Sequence, residues 1–76
     1  MTPEQAQRAF QLCDVAFQGY IQEATATHLL LALTISGPVT LEQRILVANQ
    51  RRRENDSQSF YIHARDALFD GLASSN

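Results

Sequence analysis

The sequence predicts an all-α protein, a small bundle of three to four short helices that forms a dimer. Three observations carry this. The first is a pair of matching helix starts, Thr2-Pro3-Glu4-Gln5 and Thr40-Leu41-Glu42-Gln43. In each, a threonine able to cap is followed three residues later by a glutamine that can complete a capping box. The second is apolar spacing of helical period over most of the chain. The third is the run Thr27-His28-Leu29-Leu30-Leu31-Ala32-Leu33-Thr34-Ile35-Ser36-Gly37, in which the leucines and Ile35 leave a helix no polar face. A helix apolar all round calls for burial on several sides. The run is too short to span a bilayer, which needs about 20 apolar residues.

The first helix is expected over about residues 3–23. Pro3 suits the first helical position. Ala6, Phe10, Cys13, Phe17, Tyr20 and Ala24 recur at steps of four and three, opposite a polar stripe of Glu4, Gln7, Gln11, Asp14, Gln18 and Gln22. That is an amphipathic helix with one inward seam. Gly19 interrupts neither stripe, so the helix is carried past it. Ala24-Thr25-Ala26-Thr27, with two threonines able to cap, reads as a short connection. The apolar helix follows over 26–36. Gly37 and Pro38 stop it, glycine as a left-handed C-cap and proline as a block to continuation.

A third helix is expected over 41–54, with Leu41, Ile45 and Ala48 facing inward and Leu46 and Val47 beside them. The chain then turns polar through Asn49–Ser59. Continuing the seam by the same steps lands on Arg52, Asn55, Ser59 and Asp66. The phase is lost, so a break near Asn55 is expected, with Asn55-Asp56-Ser57 supplying a cap. The fourth helix, 57–70, is lined by Phe60, Tyr61, Ala64, Ala67 and Leu68, with Ile62 and Phe69 on its other side. Gly71 reads as its C-cap and 73–76 as a fraying end.

The 76 residues make one domain at most. Chains this short usually lean on a disulfide, a metal or a partner. Cys13 is the one cysteine, so an internal disulfide is excluded. No Cys/His cluster has zinc spacing, so no metal and no cofactor are expected. That leaves a partner chain. Net charge is −2, which gives the whole molecule no attraction to nucleic acid or anionic lipid. All six basic residues are arginine. Arginine suits interfaces, though codon bias in a GC-rich genome explains the choice as well. The N-terminus carries no basic, apolar leader pattern. With a lone thiol, this places the expected location in the cytoplasm, and no membrane association is expected.

Catalytic constellations are absent from the sequence. No G-x-S-x-G, phosphate-binding glycine loop or H-E-x-x-H motif occurs. Cys13 with His28 or His63 is the remaining nucleophile–base pair on paper. Cys13 lies on an apolar seam, where free cysteine behaves as a small hydrophobe. His28 and His63 read as edge or solvated residues. The chain is therefore expected not to be an enzyme.

Two clusters are candidate contact residues. Arg51-Arg52-Arg53, with Arg44 a turn or two earlier, is the densest charge feature. Phe60, Tyr61 and Phe69 place aromatic groups beside it. Aromatic residues next to arginines are what a protein–protein hot spot is made of. The expected function is a small non-enzymatic interaction module, an adaptor, inhibitor or regulatory subunit, binding itself and another protein through helix faces. The alternative is a nucleic-acid-binding regulator that grips phosphates with Arg44, Arg51, Arg52 and Arg53. Glu54 and Asp56 directly after the arginines weigh against it, and residues 32–46 fit a helix-turn-helix poorly because Pro38 falls in the turn.

Overall fold

A computed structural model describes residues 1–74. It shows two long helices, α1 (Pro3–Thr34) and α2 (Leu41–Ala73), folded into an antiparallel hairpin. The rod measures 58 × 13 × 13 Å.

Both starts form as the sequence dictates. At α1 the Thr2 hydroxyl accepts from the Gln5 N–H at 3.2 Å, and the Gln5 side-chain oxygen accepts from the Thr2 N–H at 3.0 Å. Thr40 and Gln43 repeat the pair at 3.1 and 2.9 Å. Each box satisfies two backbone donors that a helix start would leave open. The turn also falls where Gly37-Pro38 puts it. The cap, however, differs. α1 ends at Thr34, Ile35 closes it in right-handed conformation with its N–H on the Leu31 carbonyl, and the Ser36 hydroxyl donates to the Leu33 carbonyl at 2.7 Å. No described glycine has positive φ, so neither Gly37 nor Gly71 is a left-handed cap.

The expected three to four short helices are two. Residues 24–27 continue α1, and Asn55-Asp56-Ser57 continue α2. The threonine and serine hydroxyls bond back onto their own helix instead of capping a new one. Thr27 donates to the Glu23 carbonyl at 3.0 Å, and Ser57 to the Glu54 carbonyl at 2.8 Å. A hydroxyl used this way is compatible with a helix interior.

Continuity follows from the contact seam. Along α1 the line of covered positions is Ala6, Ala9, Cys13, Ala16, Tyr20, Glu23, Thr27, Leu30 and Thr34, with Gly19 and Ala24 partly covered beside it. Along α2 it is Gln43, Val47, Gln50, Glu54, Ser57, Tyr61, Ala64, Leu68 and Gly71, with Ile62 partly covered beside it. Steps of three and four alternate without a slip across both expected breaks. That is the 3.5-residue repeat of a left-handed coiled coil. Most of these side chains are small or polar, which lets the two backbones approach closely.

The consequence is a thin interior. Among the described residues only Cys13, Ala16 and Thr34 are buried. Cys13 is inward, in keeping with the sequence reading. Phe10 and Phe17 are not inside the seam but on its flank, Phe10 being 60% exposed. Leu41, Ile45 and Ala48 face outward too. Of the leucine run, Leu30 meets the seam while Leu33 is 70% exposed.

Gly19 lies mid-helix, and a Cβ added there would meet nothing within 4 Å. Gly19→Ala is expected to stabilise the hairpin by up to about 1 kcal/mol, raising the thermal midpoint by about 4–8 °C. A circular-dichroism melt checks this. A lower midpoint would mean that another chain packs against that glycine.

Candidate interaction surface

The seven-residue repeat sorts the side chains next to the seam onto two flanks. On α1, Phe10, Phe17, Ala24 and Leu31 stand one above another at seven-residue steps, with Asp14 and Ile21 beside them. In an antiparallel pair like flanks meet, so the α2 row on this side is Arg44, Arg51, Gln58, Arg65 and Leu72. The structure ties the two rows together at Tyr61. Its ring is 5.1 Å from that of Phe17, and the Arg65 guanidinium lies over it at 5.5 Å. Phe10, Cys13, Asp14, Phe17 and Tyr61 line a shallow depression of about 270 Å³ there. The opposite flank carries Leu12, Gly19, Ala26 and Leu33 from α1, and Leu46, Arg53, Phe60 and Ala67 from α2.

The candidate residues do not form one patch. Arg44 and Arg51 share a flank. Arg52 points about 100° further round α2, away from α1, and Arg53 another such step, onto the far flank. There Arg53 pairs with Glu23 at 3.3 Å. Glu23 also accepts from the Gln50 side-chain amide at 2.8 Å. An exposed pair of this kind contributes about 0–1 kcal/mol. It does, however, engage the Arg53 charge within the chain. Arg51, Arg52 and Arg53 also sit within α2 and not at its end, while Arg44 lies in its first turn. Phe60 and Phe69 are exposed on different sides of α2. Tyr61 is half-buried, its ring against Phe17 and stacked 6.3 Å from Tyr20. It serves the hairpin itself.

Sequence reasoning missed the flank Phe10, Phe17, Leu31 as a surface. The apolar stripe 6, 10, 13, 17, 20, 24 counts Phe10 and Phe17 as inward, and Leu31 falls in the separate leucine run. Charge along the rod is a second feature. Residues 24–53 hold Glu42 against Arg44, Arg51, Arg52 and Arg53, net +3. The rest of the chain holds Glu4, Asp14, Glu23, Glu54, Asp56, Asp66 and Asp70 against Arg8 and Arg65, net −5. The hairpin places the basic segment next to the loop, while the loop half as a whole, residues 19–56, balances Glu23, Glu42, Glu54 and Asp56 against its arginines and the terminal half keeps net −2.

Among the described residues no group of three His, Cys, Asp or Glu is placed to hold a metal ion. No described helix is long and apolar enough to cross a membrane. Compared with known proteins, the chain matches no family model, no curated protein and no solved structure.

Proposed function

We propose that the chain is a non-enzymatic protein–protein interaction module, a helical hairpin that serves as adaptor, inhibitor or regulatory subunit by presenting apolar flanks to a partner. The observation that supports this most is the inversion of its packing. Small and polar residues fill the seam, while Phe10, Leu12, Val15, Leu29, Leu33, Leu46, Phe60 and Phe69 are exposed. Exposed apolar area beyond a few hundred Å² marks an interaction site on a soluble domain. The splaying of the arginines over three sides of α2, with Arg53 on Glu23, favours a protein partner over a phosphate backbone.

The test is association of the folded chain before and after Phe10→Gln/Leu31→Gln, a change that leaves both capping boxes and the seam intact. Helicity by circular dichroism is expected to persist, and binding to protein, self or other, to fall at least tenfold, the equivalent of about 1.4 kcal/mol. Binding that falls about 10³-fold between 50 and 200 mM salt signals six or more phosphate contacts. Nucleic-acid binding of that kind, lost on Arg44→Ala/Arg51→Ala/Arg52→Ala/Arg53→Ala, would replace the protein-partner reading.

A further inference from the structure

We infer that the occupant of the Phe10–Phe17–Leu31 flank is a second copy of this chain, laid antiparallel so that the loop of each hairpin lies at the terminal end of the other. The inference rests on the interaction reading above and names its partner.

Surface area argues first. The chain exposes 5946 Å². A compact folded monomer of 8.5 kDa would expose about 4,700 Å². The excess, about 1,200 Å², covers the roughly 800 Å² per partner that a standard stable interface buries. Two hairpins packed side by side form a four-helix bundle, which encloses a core between the two pairs. The flank is suited to it, since it widens the α1 apolar face from two to three positions in every seven, as bundle helices require.

Charge sets the direction. Parallel hairpins would put the two loop-end segments 24–53, each net +3, together. Antiparallel hairpins put each of these segments beside the terminal half of the other copy, net −2. The match holds at single residues on this flank. Arg51 lies ten residues inside the loop end of α2, and Asp14 eleven residues inside the terminal end of α1. Both are exposed on the side of the hairpin that carries Phe10 and Phe17. Reversing one copy brings its Arg51 level with Asp14 of the other. A two-fold axis makes the pairing reciprocal. The other flank lacks this match, because Arg53 is already engaged by Glu23.

Two measurements test the inference. Sedimentation equilibrium gives the mass, and pulsed electron resonance on Ser36→Cys spin-labelled protein in a Cys13→Ala background gives the loop-to-loop distance. The expected result is a mass of two chains and a separation on the order of 50 Å, from the helix rise. Labels within about 20 Å, a spacing that about 13 residues of helix would span, would mean parallel hairpins and overturn it. A monomer that floats with anionic vesicles would overturn it in favour of a lipid surface. A monomer that still binds a different protein through Phe10 and Leu31 would overturn self-docking and leave the interaction reading standing. A Phe10→Gln/Leu31→Gln protein that associates as the parent does would overturn docking on this flank, and a folded parent chain that associates with nothing would sink the interaction reading itself. Arg51→Asp is expected to weaken the dimer about tenfold through two symmetric pairs, and adding Asp14→Arg to restore it. No rescue by the swapped pair would refute the antiparallel register.

Discussion

An Asn55→Pro variant is expected to lose about 3 kcal/mol or more of stability, enough to unfold most of a domain this small at 37 °C. Proline removes a backbone donor and drives its ring against the carbonyl one turn back. Asn55 lies fourteen residues inside α2, with a full turn of helix on either side. The damage would spread beyond that turn. Glu54 and Ser57 bracket the site on the seam, and a kink there would take Tyr61, Ala64 and Leu68 out of register with α1. Circular dichroism at 222 nm against temperature reads the result. Were residues 55–57 a connection between two helices, proline would be tolerated and the midpoint would stay where it is. The variant therefore decides between one helix and two.

Tyr61→Ala is expected to cost about 2–4 kcal/mol, at or just below the usual range for removing a buried aromatic ring because Tyr61 is only half-buried. Three groups lose their partner at once, the rings of Phe17 and Tyr20 and the guanidinium of Arg65. Aromatic pairs contribute about 0.5–1.5 kcal/mol beyond area burial. The seam has little to offset the loss, since its neighbouring positions are Ser57 and Ala64. Tyr61→Phe keeps the ring contacts and is expected to stay within about 0.5 kcal/mol of the parent. A urea titration of the three proteins measures this. If Tyr61→Ala kept full stability and lost only partner binding, Tyr61 would belong to the outer surface, as its place beside the arginines in the sequence first implies.

The outward residues call for a different explanation from the inward ones. Phe10 and Phe17 belong to the apolar stripe 6, 10, 13, 17, 20, 24, which is regular enough to pass for a complete seam. The covered line in the structure is 6, 9, 13, 16, 20, 23. The two share every other position and differ by about 50° in the direction they face, half the angle between adjacent residues. Ala9 and Ala16 gave no signal for the true line, since alanine is at home on either side of a helix. On α2 the signal was worse. Gln43, Gln50, Glu54 and Ser57 occupy seam positions, so polarity there suggested a surface and a break where the helix in fact runs on. Polar groups are tolerated at that seam because it is shallow. Gln50 reaches Glu23 across it, Gln43 bonds Thr40, and the Ser57 hydroxyl donates to the Glu54 carbonyl.

The features legible in the residues alone are local. Thr2 with Gln5 and Thr40 with Gln43 set both helix starts, because each box closes within three residues and needs nothing from the rest of the chain. Gly37-Pro38 set the place of the turn, because proline has no donor to extend α1. The all-α class and the inward place of Cys13 followed from periodicity. Packing of the two helices decides their number and the direction in which the aromatic residues look. Thr27 and Ser57 can cap a new helix or bond back into an old one at similar cost, and packing along the opposite helix selects the second. The apolar face of α1 is wider than α2 can cover. Its width is written in the sequence, but the half that α2 takes is settled by how closely Ala6, Ala9, Cys13 and Ala16 let the second backbone approach, and Phe10, Phe17 and Leu31 are left outside.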